Sequence, residues 1–364
     1  MVIKIRNKEK KVSKFRLNFT LKQHTPIIHF QSDQSGATLR ATELKPKLDR
    51  FLLEQVEGIP FKENANGSKS LDYKVKIEYS GQNKIDYPKP FVKKGTEGYV
   101  APYFADGVSI EHNDNEIKLN IFSFNEKILD AIKDNIKIFF SYENFATRQS
   151  KGFGAYHIKD VTKKEVEEHL KNNNKLFKLN KGSRNPKESL KIIDTFYKEI
   201  KSGLNYPKYK KSLLFQYMCT KDSGWEKRWI KQKFPSVVYG KNKPVNCQPP
   251  KEFFYIRALL GVAELNEYYP NGQENKLQIK IEGIKREQND LKKADIQRFK
   301  SPITFKIFED NIYLIYNDSY EKILGEEFGF TFKDKQEKIS VPSEFDLYEF
   351  LKFVEKENLI SEVK

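Results

Sequence analysis

Glycines, cations and aromatic rings are concentrated in one segment, NFATRQSKGFGAYHI, at positions 144–158. Its candidate ligand-binding residues are two glycines, two cations and two aromatic residues: Gly152, Gly154, Arg148, Lys151, Phe153 and Tyr156. Glycines permit positive φ and carry no Cβ, so backbone amides could approach a phosphate closely, with the cations beside them. The aromatic rings could stack on a base or a ribose. A tight loop whose glycines serve backbone geometry alone is the competing interpretation.

A second set of polar residues could perform acid–base chemistry. His24 and His29 flank the sequence TPII, and with Lys45 or Tyr156 they could transfer the protons of metal-free RNA cleavage. A histidine packed as a polar residue at the end of a strand is the alternative. The sequence has no HExxH, Walker, Rossmann or cysteine–histidine metal motif, which argues against other enzyme classes and predicts no cofactor and no metal site.

The elements that must position these residues follow from the periodicity of apolar side chains. Alternating apolar and polar residues predict strands, and apolar residues spaced three or four apart predict helices. In the first half this predicts the order βαββαβ, over 14–22, 42–58, 71–81, 115–124, 125–135 and 136–142. That order is typical of a ferredoxin-like, or RRM-like, unit, whose four-stranded antiparallel sheet carries both helices on one face. The other face is then free to bind.

The second half predicts a related but more degenerate domain, after a lysine-rich stretch typical of a linker. Its candidate elements are an apolar, helical stretch, a strand, a hairpin and a final helix, at 249–265, 276–284, 302–318 and 344–358. The predicted fold class is therefore α+β, with two ferredoxin-like domains in tandem. Their bounds are 1–160, ending in the glycine-rich loop, and 213–364, with a basic linker or insertion at 161–212.

The charge balance is strongly basic. Lysine and arginine number 66 against 50 aspartates and glutamates, which gives a net charge of +16 with neutral histidines. Such a surface attracts polyanions, of which nucleic acid is the first candidate. A lysine-rich proteome with ordinary solvated faces is the alternative.

The number of cysteines and the length of the apolar stretches indicate the cellular compartment. Cys219 and Cys247 are too few for a disulfide scaffold and lack metal-ligand spacing, so we expect inert core residues in a reducing cytoplasm. No uncharged apolar stretch approaches the roughly 18–20 residues of a membrane span, and the first residues lack the apolar region of a signal peptide. We expect a cytoplasmic protein without a membrane partner.

Two segments of the first half resemble a known superfamily. TRQSKGFGAY, at 147–156, is similar to the glycine-rich loop of the RAMP superfamily of CRISPR RNA-binding proteins. The stretch 38–54 resembles that superfamily's Leu-Lys-Gly-x-Leu-Arg segment, at which the first helix begins: Leu44, Lys45 and Leu48 occupy matching positions. The sequence departs from this pattern because Pro46 replaces the glycine and Asp49 the arginine, with Arg50 one residue later.

Two segments of the second half resemble one family within that superfamily. RALLGV, at 257–262, and IQRFKSPITFKIF, at 296–308, are similar to segments of the first subunit of the type III-B, or Cmr, effector complex. The resemblance implies an RNA-binding, non-catalytic subunit of a multisubunit ribonucleoprotein in antiviral defence. Guide RNA, target RNA and other RAMP subunits would be its partners.

The predicted RNA-binding residues combine the glycine-rich segment with cations elsewhere: Arg40, Lys45, Arg50, Arg148, Lys151, Gly152, Phe153, Gly154, Tyr156, Arg257, Arg298 and Lys300. For Arg257, pairing with a core carboxylate is an equal alternative. Two other functions stay open. One is a RAMP ribonuclease, which would use His24 to process guide RNA or Asp33 to cut target RNA, although a turn-forming role explains Asp33 as well. The other is a protein-only scaffold whose basic loop docks on acidic neighbours.

Overall fold

The computed structural model describes eleven stretches of the chain, and structural statements below concern these residues: 14–28, 39–65, 67–81, 84–86, 110–171, 176–204, 209–235, 252–262, 265–268, 277–283 and 299–363. The chain forms a mixed α and β structure with several antiparallel sheets. No helix in these stretches combines the length and apolar character needed to cross a membrane.

Two compact units divide the chain. Unit 1 contains residues 1–174, 183–190 and 306–310, and unit 2 contains 175–182, 191–305 and 311–364. Neither unit is a continuous stretch of chain, whereas the sequence predicted two continuous domains.

Unit 1 is built on a four-stranded antiparallel sheet. Its elements are β1 Arg16–Gln23, α1 Ala41–Gln55, β2 Lys62–Glu63, β3 Lys69–Ser70, β4 Lys74–Tyr79, β5 Lys84–Asp86, β6 Ile110–His112, β7 Ile117–Phe122, α2 Glu126–Tyr142, β8 Tyr156–Ile158 and α3 Lys163–Lys171. The sheet has the order β4-β7-β1-β8, and every neighbouring pair is antiparallel. Strands β2 and β3 form one small hairpin, and β5 pairs with β6.

The core of unit 1 lies between this sheet and the helices α1 and α2. Leu44 and Leu48 on α1 and Phe139 on α2 are fully buried, in one cluster with Leu21 and Leu119 from the central strands. Both helices therefore cover the same face of the sheet, the face to which the alternating apolar residues of β1 and β7 point.

The fourth strand lies elsewhere than predicted. Residues 136–142, predicted as a strand, are the last two turns of α2, and the fourth strand is β8. The prediction was wrong because an aromatic and β-branched run suits a strand, whereas Ile132, Ile136 and Phe140 continue a helical stripe at intervals of four. The glycine-rich segment therefore connects α2 to β8 instead of following the sheet.

The remaining elements lie wholly or in part in unit 2. These are β9 Phe177–Leu179, α4 Pro186–Lys201, α5 Leu213–Cys219, β10 Ser223–Trp225, α6 Glu226–Lys233, β11 Glu252–Phe254, β12 Leu265–Tyr268, β13 Leu277–Gly283, β14 Ile303–Phe308, β15 Asn311–Tyr316, β16 Glu327–Phe332, β17 Lys335–Ser340, α7 Leu347–Lys356 and β18 Ile360–Glu362. They include two four-stranded sheets, of order β12-β13-β16-β17 and β14-β15-β9-β18. A tandem of two ferredoxin-like domains stays a prediction.

Three expectations for the second half differ from the structure. The expected linker at 161–212 contains α3, β9 and α4, and β9 pairs with β15 and β18. The stretch 249–265, expected to be helical, contains β11 and a 3-10 turn at Ile256–Leu260. Cys219 is disulfide-bonded, so its expected role as an inert thiol was wrong. The predicted strand β13, hairpin β14–β15 and helix α7 are confirmed.

Candidate nucleic-acid interface

The glycines of the predicted phosphate loop serve the local backbone, and both have positive φ. Gly154 has φ of +67°, and a Cβ there would lie 2.1 Å from the carbonyl oxygen of Phe145. Its amide donates to the Pro26 carbonyl at 2.8 Å, and the Gly152 amide donates to the Gln149 carbonyl at 3.1 Å. Since these two amides already have partners inside unit 1, their predicted use for a phosphate is wrong in this conformation.

A buried threonine fastens the same segment to the chain beyond β1. The Thr25 hydroxyl donates to the Gly152 carbonyl at 2.7 Å and accepts from the Ala155 amide at 2.8 Å. The next backbone bond joins the His24 amide to the Ala155 carbonyl at 2.8 Å. Thr25 is completely buried, so these bonds form away from water, where losing a partner costs most.

The two aromatic residues of the segment are core residues. Phe153 is 1% exposed and Tyr156 is fully buried. The Tyr156 ring packs edge-on against Phe145 with centroids 5.9 Å apart, and burial raises the pKa of its hydroxyl well above the usual range. Neither ring can stack on a base in this conformation, so that part of the prediction is wrong.

The cations of the segment lie beside the start of α1. The Glu43 carboxylate accepts from the Ala146 amide at 2.6 Å. Burial raises the pKa of Glu43, and the charges of Lys47 and Arg40 oppose that rise. Arg40 is exposed and Arg148 half-buried, whereas the Lys151 amine is buried. Arg40 and Arg148 are therefore the cations here that reach solvent.

Two cations carried over from the superfamily pattern have different surroundings. The Lys45 amine donates to the buried Asp49 carboxylate and to the Leu71 carbonyl, both at 2.8 Å, and lies 4.3 Å from the Tyr73 ring centroid. Lys45 therefore stabilises the start of α1 against the loop before β4. Arg50 is exposed.

In unit 2, Arg257 serves the interior. Its guanidinium pairs with Glu226, a fully buried carboxylate that also accepts from the Trp225 indole at 2.9 Å and the Ile256 amide at 3.0 Å. The alternative of a core carboxylate partner is therefore the one observed. Lys300 is exposed, and Arg298 lies outside the described residues.

Of the candidate catalytic residues, His24 is the one whose ring environment bears on proton transfer. The His24 ring packs against His157 and Phe308, with centroids 4.8 and 5.1 Å away. Burial lowers the pKa of His24 to about 3, which makes it a poor proton donor or acceptor near neutral pH. His29 and Asp33 lie outside the described residues. Within those residues, no group of three or more histidines, cysteines, aspartates or glutamates could hold a metal ion.

Beside these three aromatic rings lies a buried lysine. Lys306 is completely buried, and its amine donates to the Glu143 carbonyl at 2.7 Å. Burial lowers its pKa to about 7. The segment 296–308, which carries part of the family resemblance, includes this lysine, but the sequence assigned it no role.

The sheet face opposite the helices is solvent-facing, and we call it the open face. It consists of Arg16, Asn18, Thr20 and Lys22 on β1, Lys118, Asn120 and Phe122 on β7, and Lys74, Lys76 and Glu78 on β4. Antiparallel pairing sets these residues in rows across the strands, with Phe122 opposite both Arg16 and Lys74. At the β8 edge, His157 shares this side of the sheet but is buried.

The open face carries a strong excess of positive charge. Glu78, the one carboxylate among these residues, pairs with Lys76 at 2.7 Å and accepts from the Asn120 amide at 2.9 Å. Hydrogen bonding to Lys76 lowers the pKa of Glu78. In the described part of the chain, Lys22, Lys74 and Lys118 form no ion pair. These cations are available to phosphates.

None of the open-face residues is among the RNA-binding residues predicted from the sequence. The signal was present, because the alternation that predicted β1 also assigns Arg16, Asn18, Thr20 and Lys22 to the face away from the core. The site was predicted at 144–158 instead, because glycine is concentrated there.

Comparisons with known proteins cover nearly the whole chain. Residues 14–204 match the family described as the Cmr1 N-terminal domain, and residues 209–363 match the Cmr1 C-terminal domain. The crystal structure of Cmr1 from Pyrococcus furiosus, in its apo form, is similar to this chain at 11% sequence identity and a TM-score of 0.43, over 96% of this chain and 98% of that chain. No protein of curated function matches the sequence.

Proposed function

This chain belongs to the Cmr1 family of type III-B CRISPR effector subunits, and from that premise we propose that it binds RNA without cleaving it. Its ligand would be guide RNA, alone or paired with target RNA, held mainly through phosphate and sugar and hence with little sequence preference. Other Cmr subunits would be its protein partners. We also infer that unit 1 is a ferredoxin-like unit, since two helices cover one face of a sheet of order β4-β7-β1-β8.

The cationic open face is the observation that carries this proposal. Five cations and one carboxylate occupy it, and three of the lysines, Lys22, Lys74 and Lys118, have no ion pair among the described residues. A protein that neutralises phosphates with such cations releases counterions, so its affinity falls steeply with salt concentration.

The test compares two variants that lose the same charge. Lys74→Gln combined with Lys118→Gln removes two cations from the open face, and Lys163→Gln combined with Lys164→Gln removes two from α3. On α3 each lysine faces a glutamate one turn on, at 4.0 and 3.7 Å. We expect the open-face variant to bind single-stranded guide RNA more weakly in fluorescence anisotropy. Its slope of log affinity against log salt should fall by about 0.7 for each phosphate that no longer has a cation beside it. Equal binding by the two variants would overturn the proposal.

The absence of cleavage has its own test. The purified chain is incubated with labelled repeat RNA and with guide-paired target RNA. We expect both RNAs to stay intact, since the buried imidazole of His24 has its pKa lowered to about 3. Cleavage that His24→Ala or Asp33→Ala abolishes, with RNA binding retained, would show that the chain is a ribonuclease.

A further inference from the structure

An exposed aromatic cluster occupies one end of the open face. We call it the phenylalanine corner, and it consists of Phe15, Phe122 and Phe124. Phe124 is 78% exposed, the larger of two such values among the described large apolar residues. Its ring lies 4.8 Å from Phe122 and 5.6 Å from Phe15, centroid to centroid. A single exposed phenylalanine is ordinary, but three adjacent rings at a solvent-facing position form an apolar patch, and such patches mark contacts with a partner.

The backbone around Phe124 is fixed, so the ring is held outward. The Ser123 hydroxyl donates to the Asp72 carbonyl at 2.7 Å and accepts from the Asn125 amide at 3.1 Å. The Ser123 amide donates to the Phe15 carbonyl at 3.2 Å, and the Asn125 side chain caps α2 by accepting from the Ile128 amide at 3.3 Å. Residues on both sides of Phe124 are therefore anchored, and a partner meets a preorganised ring.

Positive charge surrounds the corner. The Arg16 guanidinium lies 5.9 Å from the Phe122 ring centroid, and Lys74 is opposite Phe122 on the other side. The nearby carboxylates already have lysine partners: Asp72 pairs with Lys62 at 2.8 Å and Glu126 with Lys14 at 2.5 Å. A cationic rim favours an anionic partner over an apolar protein surface.

We propose that the phenylalanine corner binds the bases of unpaired RNA by stacking, while Arg16, Lys74 and the other open-face cations bind the phosphates. Aromatic rings on a sheet, surrounded by cations, suit a single strand, whose splayed bases expose their faces. In a duplex the bases are stacked on each other and cannot reach Phe124. The ligand class of the open face is therefore single-stranded RNA. This inference rests on the proposed function, because it assigns a ligand to the same cationic face.

The test uses the full chain, a single-stranded oligouridylate and an RNA duplex of the same length. Phe124→Ala should weaken binding of the single strand about fivefold or more, since one stacked base is worth at least that much, and leave duplex binding unchanged. Phe124→Trp should restore the affinity, and single-stranded RNA should quench the fluorescence of the new tryptophan. Phe61→Ala is the matched control, because Phe61 is 45% exposed with the Lys69 amine 4.5 Å from its ring centroid.

The outcomes separate this inference from the function on which it rests. If Phe124→Ala binds the single strand as the unaltered chain does while the lysine variant of the open face binds weakly, RNA binding stands and stacking is excluded. If neither variant affects RNA binding, both proposals fail. If Phe124→Ala loses another Cmr subunit but keeps RNA, the corner is a protein interface, and the inference is wrong.

Discussion

The glycine-rich segment and the open face differ in how well their sequences indicate which side chains are exposed to solvent. The segment looks like a ligand loop in sequence, yet Phe153, Gly154 and Tyr156 are buried and the amides of both its glycines have internal partners. The open face has ordinary strand sequences, yet its cations and Phe124 reach solvent. Residue types show which chemistry is available. Whether a ligand can use it depends on which side of the sheet the residues occupy.

A physical cause underlies this difference. The segment connects α2 to β8, the edge strand beside β1, and a short connection of this kind runs close to the core, so it needs glycine at positive φ and aromatic rings to fill the space. The outer face of an antiparallel sheet has no such demand, because its side chains project away from the helices. We therefore expect substitutions in the segment to alter stability, and substitutions on the open face to alter RNA binding.

The largest expected effect comes from Gly154. Gly154→Ala combines a left-handed residue at φ +67° with a Cβ 2.1 Å from the Phe145 carbonyl oxygen, and we expect it to lower the free energy of unfolding by about 3 kcal/mol or more. Gly58→Ala is the control, because Gly58 has φ of +68° but nothing within 4 Å of its Cβ. That variant should cost about 1–2 kcal/mol. Urea unfolding followed by circular dichroism measures both.

The opposite result would change the assignment of the segment. If Gly154→Ala is as stable as Gly58→Ala and instead loses RNA affinity, the glycine serves ligand approach, and the contrast between the two regions fails.

The buried Lys306 should make the free energy of unfolding depend on pH. Its pKa is about 7 in the folded chain and 10.5 for a free side chain, so between these values the unfolded state binds more protons. The free energy of unfolding must then rise with pH across that window, by at most about 1.4 kcal/mol per pH unit for one proton. Below about pH 7 this contribution is constant.

The pH prediction is checked by urea unfolding at pH 7, 8 and 9. Lys306→Met should reduce the increase of the unfolding free energy with pH, because it removes the titrating amine that donates to the Glu143 carbonyl. Lys300→Met, which alters an exposed lysine six residues earlier, should leave the rise intact. Lys201, which is half-buried and has its pKa lowered to about 7 by desolvation, contributes a rise of the same sign, so the difference between the two variants is the quantity to compare. Parallel curves for both variants would mean that Lys306 stays charged in the folded chain.

Thr25, which is hydrogen-bonded to the same segment, should have a smaller effect on stability when it is substituted. Thr25→Val keeps the shape of the side chain but leaves the Gly152 carbonyl and the Ala155 amide without their partner, which should cost about 2 kcal/mol of unfolding free energy. Thr25→Ser keeps the hydroxyl and loses one methyl group, at about 1 kcal/mol. A serine variant as unstable as the valine variant would indicate that packing, and not the two hydrogen bonds, fastens the segment.

The sequence predicted those elements whose pattern is local. Strands β1, β4 and β7 and helix α1 were predicted because each has clear period-two or helical spacing of apolar residues. The run 136–142 was wrong because Ile, Phe and Tyr suit a strand over seven residues, and only the longer stripe from Ile128 identifies a helix. The free sheet face was predicted, and the charges within each predicted strand were equally readable, so the cations of the open face could have been included in the predicted site.

Other features depended on contacts between distant residues. That Arg257 pairs with Glu226, 31 positions away, cannot be read from either neighbourhood. The burial of Phe153 and Tyr156 needs the strand pairing of β8 with β1. The outward orientation of Phe124 depends on the hydrogen bond from the Ser123 hydroxyl to the carbonyl of Asp72, 51 positions earlier. A glycine-rich loop that packs and one that binds have the same composition, so only the fold separates them.

Substitutions on the open face should change stability least. Phe124→Ala and Lys118→Gln should each change the free energy of unfolding by less than about 0.5 kcal/mol, because a side chain that is 78% exposed loses little burial when truncated. Phe139→Ala, at a fully buried ring on α2, should cost about 3–5 kcal/mol in the same urea experiment. RNA affinity measured on the same samples should show the reverse order. A destabilisation by Phe124→Ala near that of Phe139→Ala would mean that the corner supports the fold, and its loss of RNA would then carry no information about stacking.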